Sequence, residues 1–218
     1  MESFVYEYPT KVYFGKGAAG QHLPGILAGC GPNVLLAYGG GSIKKNGIYD
    51  QVVSILKAAG KEIFEDPGVM PNPTTEKLYE GCKIARENNV DLLLAVGGGS
   101  CCDYAKGVSV SAWCDEDPWE KYYVRMEEPA NRLIPVGCVL TMAGTGSEMN
   151  GGAVITNEEK KMKTGLLAFA PRFAVLDPAY TASVPRMQVL SGAFDTLSHA
   201  METYFGSSDQ DNVSDDVS

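Results

Sequence analysis

The chain has 218 residues, of which 44% are hydrophobic and 21% charged, so it can bury a normal core and bulk disorder is excluded. Its net charge of −9 leaves no basic face, which excludes nucleic acid and anionic membrane surfaces as partners. No apolar run approaches the ~20 residues that span a bilayer, and the N-terminal segment does not resemble a signal peptide. With six cysteines and no CxxC spacing, we expect a cytoplasmic protein with reduced thiols.

The first hundred residues alternate strands and helices. Aromatic and β-branched runs at residues 4–6 and 11–14 predict an edge strand or a hairpin. Short apolar runs at residues 33–37 and 91–96 predict strands that are covered on both faces. The other elements predicted here are helices at residues 18–27, 48–59 and 75–88, the last capped by Thr74 or Thr75, and a strand at residues 62–64. This alternation is typical of a parallel α/β sheet, whose ligands bind at the carboxyl ends of the strands.

A glycine turn, Gly97 to Gly99, follows the strand at residues 91–96. The three glycines remove every Cβ where the chain turns, so a bulky anion can approach the backbone. Ser100 is placed as the N-cap of the next helix, and Asp103 stands at the spacing of a capping box. The positive end of the helix dipole then predicts a phosphate or pyrophosphate site. The alternative is a tight connection without a ligand, since the turn matches neither GxGxxG nor the GxxxxGK phosphate loop.

A second glycine turn, earlier in the chain, follows the buried strand at residues 33–37. Its residues Gly40, Gly41 and Ser42 are followed by Lys44 and Lys45. A glycine turn with a hydroxyl and two cations suits an extra phosphate group, whereas an acidic residue at the turn would hydrogen-bond a ribose 2′-OH. Because no acidic residue stands at this turn, the sequence favours NADP(H) over NAD(H). The alternative is a solvated loop with ordinary surface lysines.

After residue 112 the sequence is first polar and then becomes apolar. Residues 113–129 carry many carboxylates and predict a solvated surface loop. Residues 133–140 predict a strand, and Pro135 places it at a sheet edge or a bulge. A hairpin at residues 153–156 and 165–168 and a further strand at residues 173–176 are also predicted.

The segment TMAGTGSE connects the strand at residues 133–140 to this hairpin. Its hydroxyls, at Thr141, Thr145 and Ser147, stand among small residues. Such groups commonly hold the ribose and amide oxygens of a nucleotide. The alternative is a threonine-rich strand exit without a ligand.

Toward the C-terminus the pattern becomes helical, over residues 187–205. Asp195 and His199 are four residues apart, so they share one helix face. A carboxylate and an imidazole on one face make half of a divalent metal site; the alternative is a capped or salt-bridged histidine. We therefore divide the chain into an α/β dinucleotide-binding domain, residues 1–183, and the start of an incomplete all-helical domain, residues 184–218.

Taken together, these segments resemble the iron-containing alcohol dehydrogenase family, in particular its NADPH-dependent butanol dehydrogenase and aldehyde reductase branch. The resemblance depends on YGGGSIKKNGIYD, PNPTTE, AVGGGSCCDYAKG, TMAGTGSEMN, VITNEEKKMK, VLDP and GAFDTLSHAMETY, in that order. It implies a parallel-sheet nucleotide-binding domain, a helical domain and an active site in the cleft between them. It also implies a divalent metal, Fe²⁺ or Zn²⁺, held by one Asp and three His. Asp195 and His199 match the first two of these ligands, and the chain resembles roughly the first half of a member.

The resemblance also implies roles for individual residues. The pyrophosphate would be held by Gly98, Gly99 and Ser100. The 2′-phosphate would be held by Gly40, Gly41 and Ser42 with Lys44 or Lys45. Further cofactor contacts would come from Asn72, Thr141, Thr145 and Lys163, while Asp103 is expected to order the glycine turn.

The implied reaction is metal-dependent hydride transfer between NADP(H) and a primary alcohol or aldehyde, in a homodimer. With two ligands only, we expect the chain alone to be inactive. Two alternatives stay open at this point. One is a relative of glycerol dehydrogenase or dehydroquinate synthase, which usually bind zinc. The other is a non-catalytic nucleotide-binding remnant.

Overall fold

The computed structural model describes residues 7–167 and 169–206. Its strands are β1 (Lys11–Phe14), β2 (Asn33–Tyr38), β3 (Glu62–Asp66), β4 (Leu92–Gly97), β5 (Val136–Leu140), β6 (Gly152–Asn157), β7 (Met162–Leu167) and β8 (Phe173–Leu176). Six of them form a parallel sheet in the order β1-β8-β5-β4-β2-β3, and β6 pairs with β7 in an antiparallel hairpin. The expected parallel α/β fold is confirmed.

Helices cover both faces of the sheet. They are α1 (Ala18–Ala28), α2 (Ser42–Lys45), α3 (Ile48–Ala58), α4 (Thr75–Glu87), α5 (Gly99–Ser111) and α6 (Arg186–Phe205), with a π-helical segment at Trp119–Val124 and a 3₁₀ turn at Pro178–Thr181. Helices α1 and α3 pack into the core on one face, and α4 and α5 into the core on the other. Because β2 and β4 are buried on both sides, they are apolar along their length rather than alternating.

The strand order decides where the two glycine turns lie. Strands β2 and β4 are hydrogen-bonded neighbours, with Tyr38 opposite Val96 at their last paired positions. Since the strands are parallel, the segments that follow them leave the sheet at the same edge. The turn after β2 and the turn after β4 are therefore adjacent.

Several predicted elements are present with shifted ends. Thr74 is the N-cap of α4, and its hydroxyl accepts from the backbone N–H of Lys77 at 3.4 Å. The N-terminal run at residues 11–14 is an edge strand, β1, whereas residues 4–6 lie outside the described residues. The hairpin is β6 and β7, and residue 168 of its predicted second arm also lies outside them. The six cysteines are free thiols, four of them buried.

The expectation that Pro135 places its strand at an edge or a bulge was wrong. β5 begins at Val136 and lies inside the sheet, between β4 and β8. Pro135 stands just before the strand, and its carbonyl accepts from the N–H of Leu93 at 2.9 Å. Proline lacks only a donor, so a position that needs an acceptor tolerates it in a central strand.

The expectation of a solvated loop at residues 113–129 was also wrong. Trp119, Tyr122 and Tyr123 are buried in the π-helical segment, and the rings of Trp119 and Tyr123 stack at 5.2 Å. The carboxylates lie on the outer side, where Glu116 pairs with Arg125 at 2.7 Å. One side of the segment is exposed to solvent and the other is buried. Its many charged residues gave no indication of the buried side in the sequence.

Helix α6 leaves most of its surface exposed. Gly192 is the buried residue among its twenty, because the backbone of Ala143 and Gly144 lies against it. Large apolar side chains such as Phe194 and Leu197 are exposed. A domain division at residues 183 and 184 stays a prediction. Across the described ranges, no helix combines the length and the apolar character that crossing a membrane requires.

Candidate functional site

The two glycine turns open onto one cleft of about 530 Å³. The turn after β2 contributes Gly39, Gly40 and Ser42, and the turn after β4 contributes Gly97 to Ser100. The walls are completed by Val69, Pro71, Thr141, Met142, Thr145, Tyr180 and residues 183–185 and 188. The cleft lies at the carboxyl ends of β2 and β4, which is where ligands bind to open α/β sheets.

Helix α5 begins earlier than the sequence suggested. Its first residue is Gly99 and its N-cap is Gly98, whose position offers no side-chain cap. Because β4 continues to Gly97, a single residue makes the connection, and Ser100 lies in the first helical turn. The predicted N-cap at Ser100 and the capping box with Asp103 were therefore wrong. Without a side-chain cap, the first N–H groups of α5 and its dipole remain available to an anion in the cleft.

Asp103 instead ties α5 to the segment that faces it. One carboxylate oxygen accepts from the hydroxyl of Ser147, and the other accepts from the N–H of Val154 at 3.2 Å. The ammonium of Lys106, on the next turn of α5, donates to the carbonyls of Ser147 at 2.9 Å and Asn150 at 3.1 Å. Burial lowers the pKa of Lys106, an effect that the Asp103 carboxylate opposes.

Together these bonds hold the loop between β5 and β6 close over the start of α5. A Cβ on Gly99 would overlap the hydroxyl of Thr145, so only glycine fits beneath this loop. Sequence reasoning missed Lys106, because a lysine in a helix gives no sign that it is buried. The aspartate three residues before it was the available signal, since residues so spaced are neighbours on a helix.

Three adjoining cavities share Gly99 and Thr145 and bring together most of the predicted site residues. The largest is the cleft described above. A second, of about 330 Å³, is lined by Asn72, Asp103, Lys163 and His199 together with Ser100. In it the ammonium of Lys163 donates to the side-chain oxygen of Asn72 at 2.7 Å, across 91 residues of sequence. A third, of about 200 Å³, reaches Asp195.

Asp195 and His199 do share a face of α6. His199 Nε2 lies 3.9 Å from Asp195 Oδ1, and the two side chains are about half exposed. A carboxylate and an imidazole are ligand types that suit Fe²⁺ and Zn²⁺, so this pair fits part of a metal site. Within residues 7–167 and 169–206, no group of three or more potential metal-ligating His, Cys, Asp or Glu side chains is present.

The two lysines after the second glycine turn are not equivalent. Neither lines the cleft, and the ammonium of Lys44 lies 3.9 Å from the carboxylate of Glu65, at the end of β3. It also lies 4.4 Å from the ring centre of Tyr49. No acidic residue stands within the turn itself, but the neighbouring strand brings Glu65 to Lys44. Nothing local in the sequence reports a partner 21 residues away.

Comparison with known proteins agrees with this geometry. Residues 9–178 match the family described as iron-containing alcohol dehydrogenase. The chain belongs to the iron-containing alcohol dehydrogenase family. Its sequence is 47% identical to a probable NADH-dependent butanol dehydrogenase 1 from Bacillus subtilis, over 94% of this chain and 53% of the relative. It is 42% identical to the NADPH-dependent aldehyde reductase YqhD from Escherichia coli, over 94% of this chain and 52% of the relative.

The structural comparison supports the same family. The crystal structure of NADH-dependent butanol dehydrogenase A from Thermotoga maritima superposes with a TM-score of 0.90 at 41% identity, covering 100% of this chain and 54% of that one. The chain spans about half the length of the relatives it matches. Their names include both NADH and NADPH, so family membership leaves the choice between the two cofactors open.

Proposed function

We propose that the chain contributes the cofactor site, and two metal ligands, of an oxidoreductase that transfers a hydride between NADP(H) and a primary alcohol or aldehyde. The observation that carries the proposal is the cleft in which two glycine turns meet beside Asp195 and His199. The relatives named butanol dehydrogenase and aldehyde reductase favour this substrate class over glycerol or dehydroquinate-type substrates.

The cofactor would span the two turns. The uncapped start of α5, at Gly98, Gly99 and Ser100, suits the pyrophosphate because its free N–H groups and dipole attract negative charge. Gly40, Gly41 and Ser42 would hold the 2′-phosphate of the adenosine ribose, with Lys44 or Lys45 adding positive charge. Asn72, Thr141, Thr145 and Lys163 would make the remaining contacts, and Asp103 would keep the loop above α5 in place.

Asp195 and His199 would hold part of the metal site, with Fe²⁺ favoured and Zn²⁺ as the alternative. When bound there, such an ion supplies Lewis-acid chemistry at the alcohol or aldehyde oxygen. The residues of this chain bind and orient the nicotinamide cofactor beside that position. The contact of Gly192 with Ala143 and Gly144 brings the ligand pair against the loop that carries Thr145.

Cofactor titration of the purified chain tests the proposal. We expect tighter binding of NADPH than of NADH, followed by fluorescence. In Gly40→Asp, where the new side chain meets open space, a carboxylate at the turn should repel the 2′-phosphate and weaken NADPH binding by about tenfold or more, with NADH binding retained.

Gly25→Asp is the matched control, because it adds the same side chain at an exposed position of α1 that also meets open space. It should leave both affinities unchanged. Equal binding of the two cofactors by the parent chain would contradict the NADP(H) preference. Binding of neither cofactor would contradict the site itself.

A second candidate is a nucleotide-binding module without turnover. The observation that favours it is the pair of metal ligands where catalysis in this family, as the resemblance implies, uses four. A chain that binds NADPH but reduces no short aldehyde in the presence of added Fe²⁺ is such a module.

A further inference from the structure

A cluster of four side chains stands beside the second glycine turn. Glu65, the penultimate residue of β3, accepts hydrogen bonds from the phenols of Tyr38 and Tyr49, both at 2.5 Å. The ammonium of Lys44 lies 3.9 Å from the same carboxylate and over both rings, 5.0 Å from the centre of Tyr38 and 4.4 Å from that of Tyr49. Lys44 is thus held by a carboxylate and two aromatic faces.

The two phenols fix the charge of this cluster. Their hydrogen bonds lower the pKa of Glu65, and the bond to Glu65 raises the pKa of Tyr49 to about 12. Glu65 therefore remains a carboxylate at neutral pH and the phenol of Tyr49 remains neutral, so the charge of Lys44 is compensated within the cluster. Lys45, by contrast, is exposed and forms no ion pair with any residue that the structure describes.

The position of the cluster connects it to the proposed cofactor site. Tyr38 directly precedes Gly39, and Lys44 belongs to the single turn of α2 whose first residues, Ser42 and Ile43, line the cleft. A phosphate on a ribose bound at Gly40 and Ser42 would lie within a few residues of Lys44. Such a phosphate and Glu65 would compete for one ammonium.

We propose that Glu65 sets the selectivity between NADPH and NADH by competing with the 2′-phosphate for Lys44. This inference rests on the proposed cofactor site. Binding of NADPH requires Lys44 to leave Glu65, whereas binding of NADH leaves the pair intact. Glu65 therefore weakens the binding of NADPH alone.

Glu65→Gln removes the charge with little change of shape, because the amide oxygen of Gln can still accept from one phenol and its NH2 group can donate to the oxygen of the other. We expect this variant to bind NADPH about three- to tenfold more tightly, with an unchanged affinity for NADH, and the gain should shrink at high salt. In a Lys44→Ala background the gain should disappear. Glu62→Gln, an exposed carboxylate at the other end of β3, is the matched control and should change neither affinity.

Lys44→Ala in the otherwise unchanged chain provides a test that does not depend on the folding of the Glu65 variant. It should weaken NADPH binding and leave NADH binding as it is. An unchanged ratio of affinities in Glu65→Gln or in Lys44→Ala overturns the inference, and so does a gain that persists without Lys44. If the parent chain binds both cofactors, such a result refutes this inference alone; if it binds neither, the proposed function fails as well.

Discussion

Asp66, Lys77 and Tyr104 form a buried polar triad beneath the loop that carries Asn72. The carboxylate of Asp66 accepts from the ammonium of Lys77 and from the phenol of Tyr104, which also lies 3.0 Å from the carbonyl of Lys77. Burial alone would lower the pKa of Lys77, but its hydrogen bonds to Asp66 and Glu80 outweigh that effect and raise it. The ammonium of Lys77 and the carboxylate of Asp66 are in direct contact and buried, so removing one charge leaves the other without its partner.

Lys77→Met should lower the free energy of unfolding by about 3–5 kcal/mol, because it leaves the Asp66 carboxylate buried beside a single phenol. The double variant Asp66→Asn with Lys77→Met should recover much of that loss. Urea denaturation measures both. Lys83→Met, at an exposed position of the same helix, is the control and should change stability by less than about 0.5 kcal/mol. Equal midpoints for the two single variants would refute the role of the pair.

Single residues were predictable where the backbone conformation requires a particular residue type. The glycines of both turns could be identified from the sequence, because a strand that ends in successive glycines leaves few other structures open. The partners of two lysines could not. Lys106 donates to the carbonyl of Ser147, 41 residues away, and Lys44 in α2 lies beside Glu65 of β3. The tertiary fold determines these partners, and the local sequence composition does not indicate them.

At the level of elements, strands that are apolar along their length were predictable. Segments with one solvent-exposed and one buried side were not. β2, β4 and β8 read as apolar runs because neighbours cover both of their faces. The segment at residues 113–129 was interpreted as a loop, because its carboxylates outnumber its aromatic side chains. The start of α5 was misplaced by two residues because the choice between Gly98 and Ser100 as N-cap depends on where β4 ends.

The contact between β5 and β8 gives a prediction at this scale. A Cβ on Gly137 would overlap the ring of Phe173, which lies on the adjacent strand at the paired position. Gly137→Ala should therefore destabilise the chain by about 1–3 kcal/mol through overpacking. Adding Phe173→Leu should return part of the stability, because the smaller side chain leaves room for the methyl group.

Thermal or urea unfolding measures both variants of this contact. Gly25→Ala supplies the comparison, since its new Cβ meets open space within α1. That change should be neutral or stabilising by about 0.5–1 kcal/mol, because alanine favours the helix over glycine. A Gly137→Ala chain as stable as the parent would mean that the sheet shifts to absorb the methyl group at no cost.

In the whole molecule, the two proposed functions lie on parts of the fold that are packed to different extents. The cofactor cleft is built on buried strands and two well-packed cores. The proposed metal ligands lie on α6, which among the described residues packs mainly through Gly192 and Thr196 against the loop at Ala143 and Gly144. Cofactor binding should therefore be largely independent of metal, whereas metal binding depends on ligands beyond Asp195 and His199.

Metal retention is the prediction that follows. Two partly exposed ligands cannot complete the tetrahedral or higher coordination that Fe²⁺ and Zn²⁺ adopt in proteins, so water must fill the remaining positions. After loading and desalting, elemental analysis should find the metal in less than about one-tenth of the chains. The affinity for NADPH should be the same with and without a chelator, and Asp195→Asn should not change it. Stoichiometric metal that survives desalting would show that further side chains complete the site. Loss of NADPH binding on chelation would show that the cleft and α6 act as one unit.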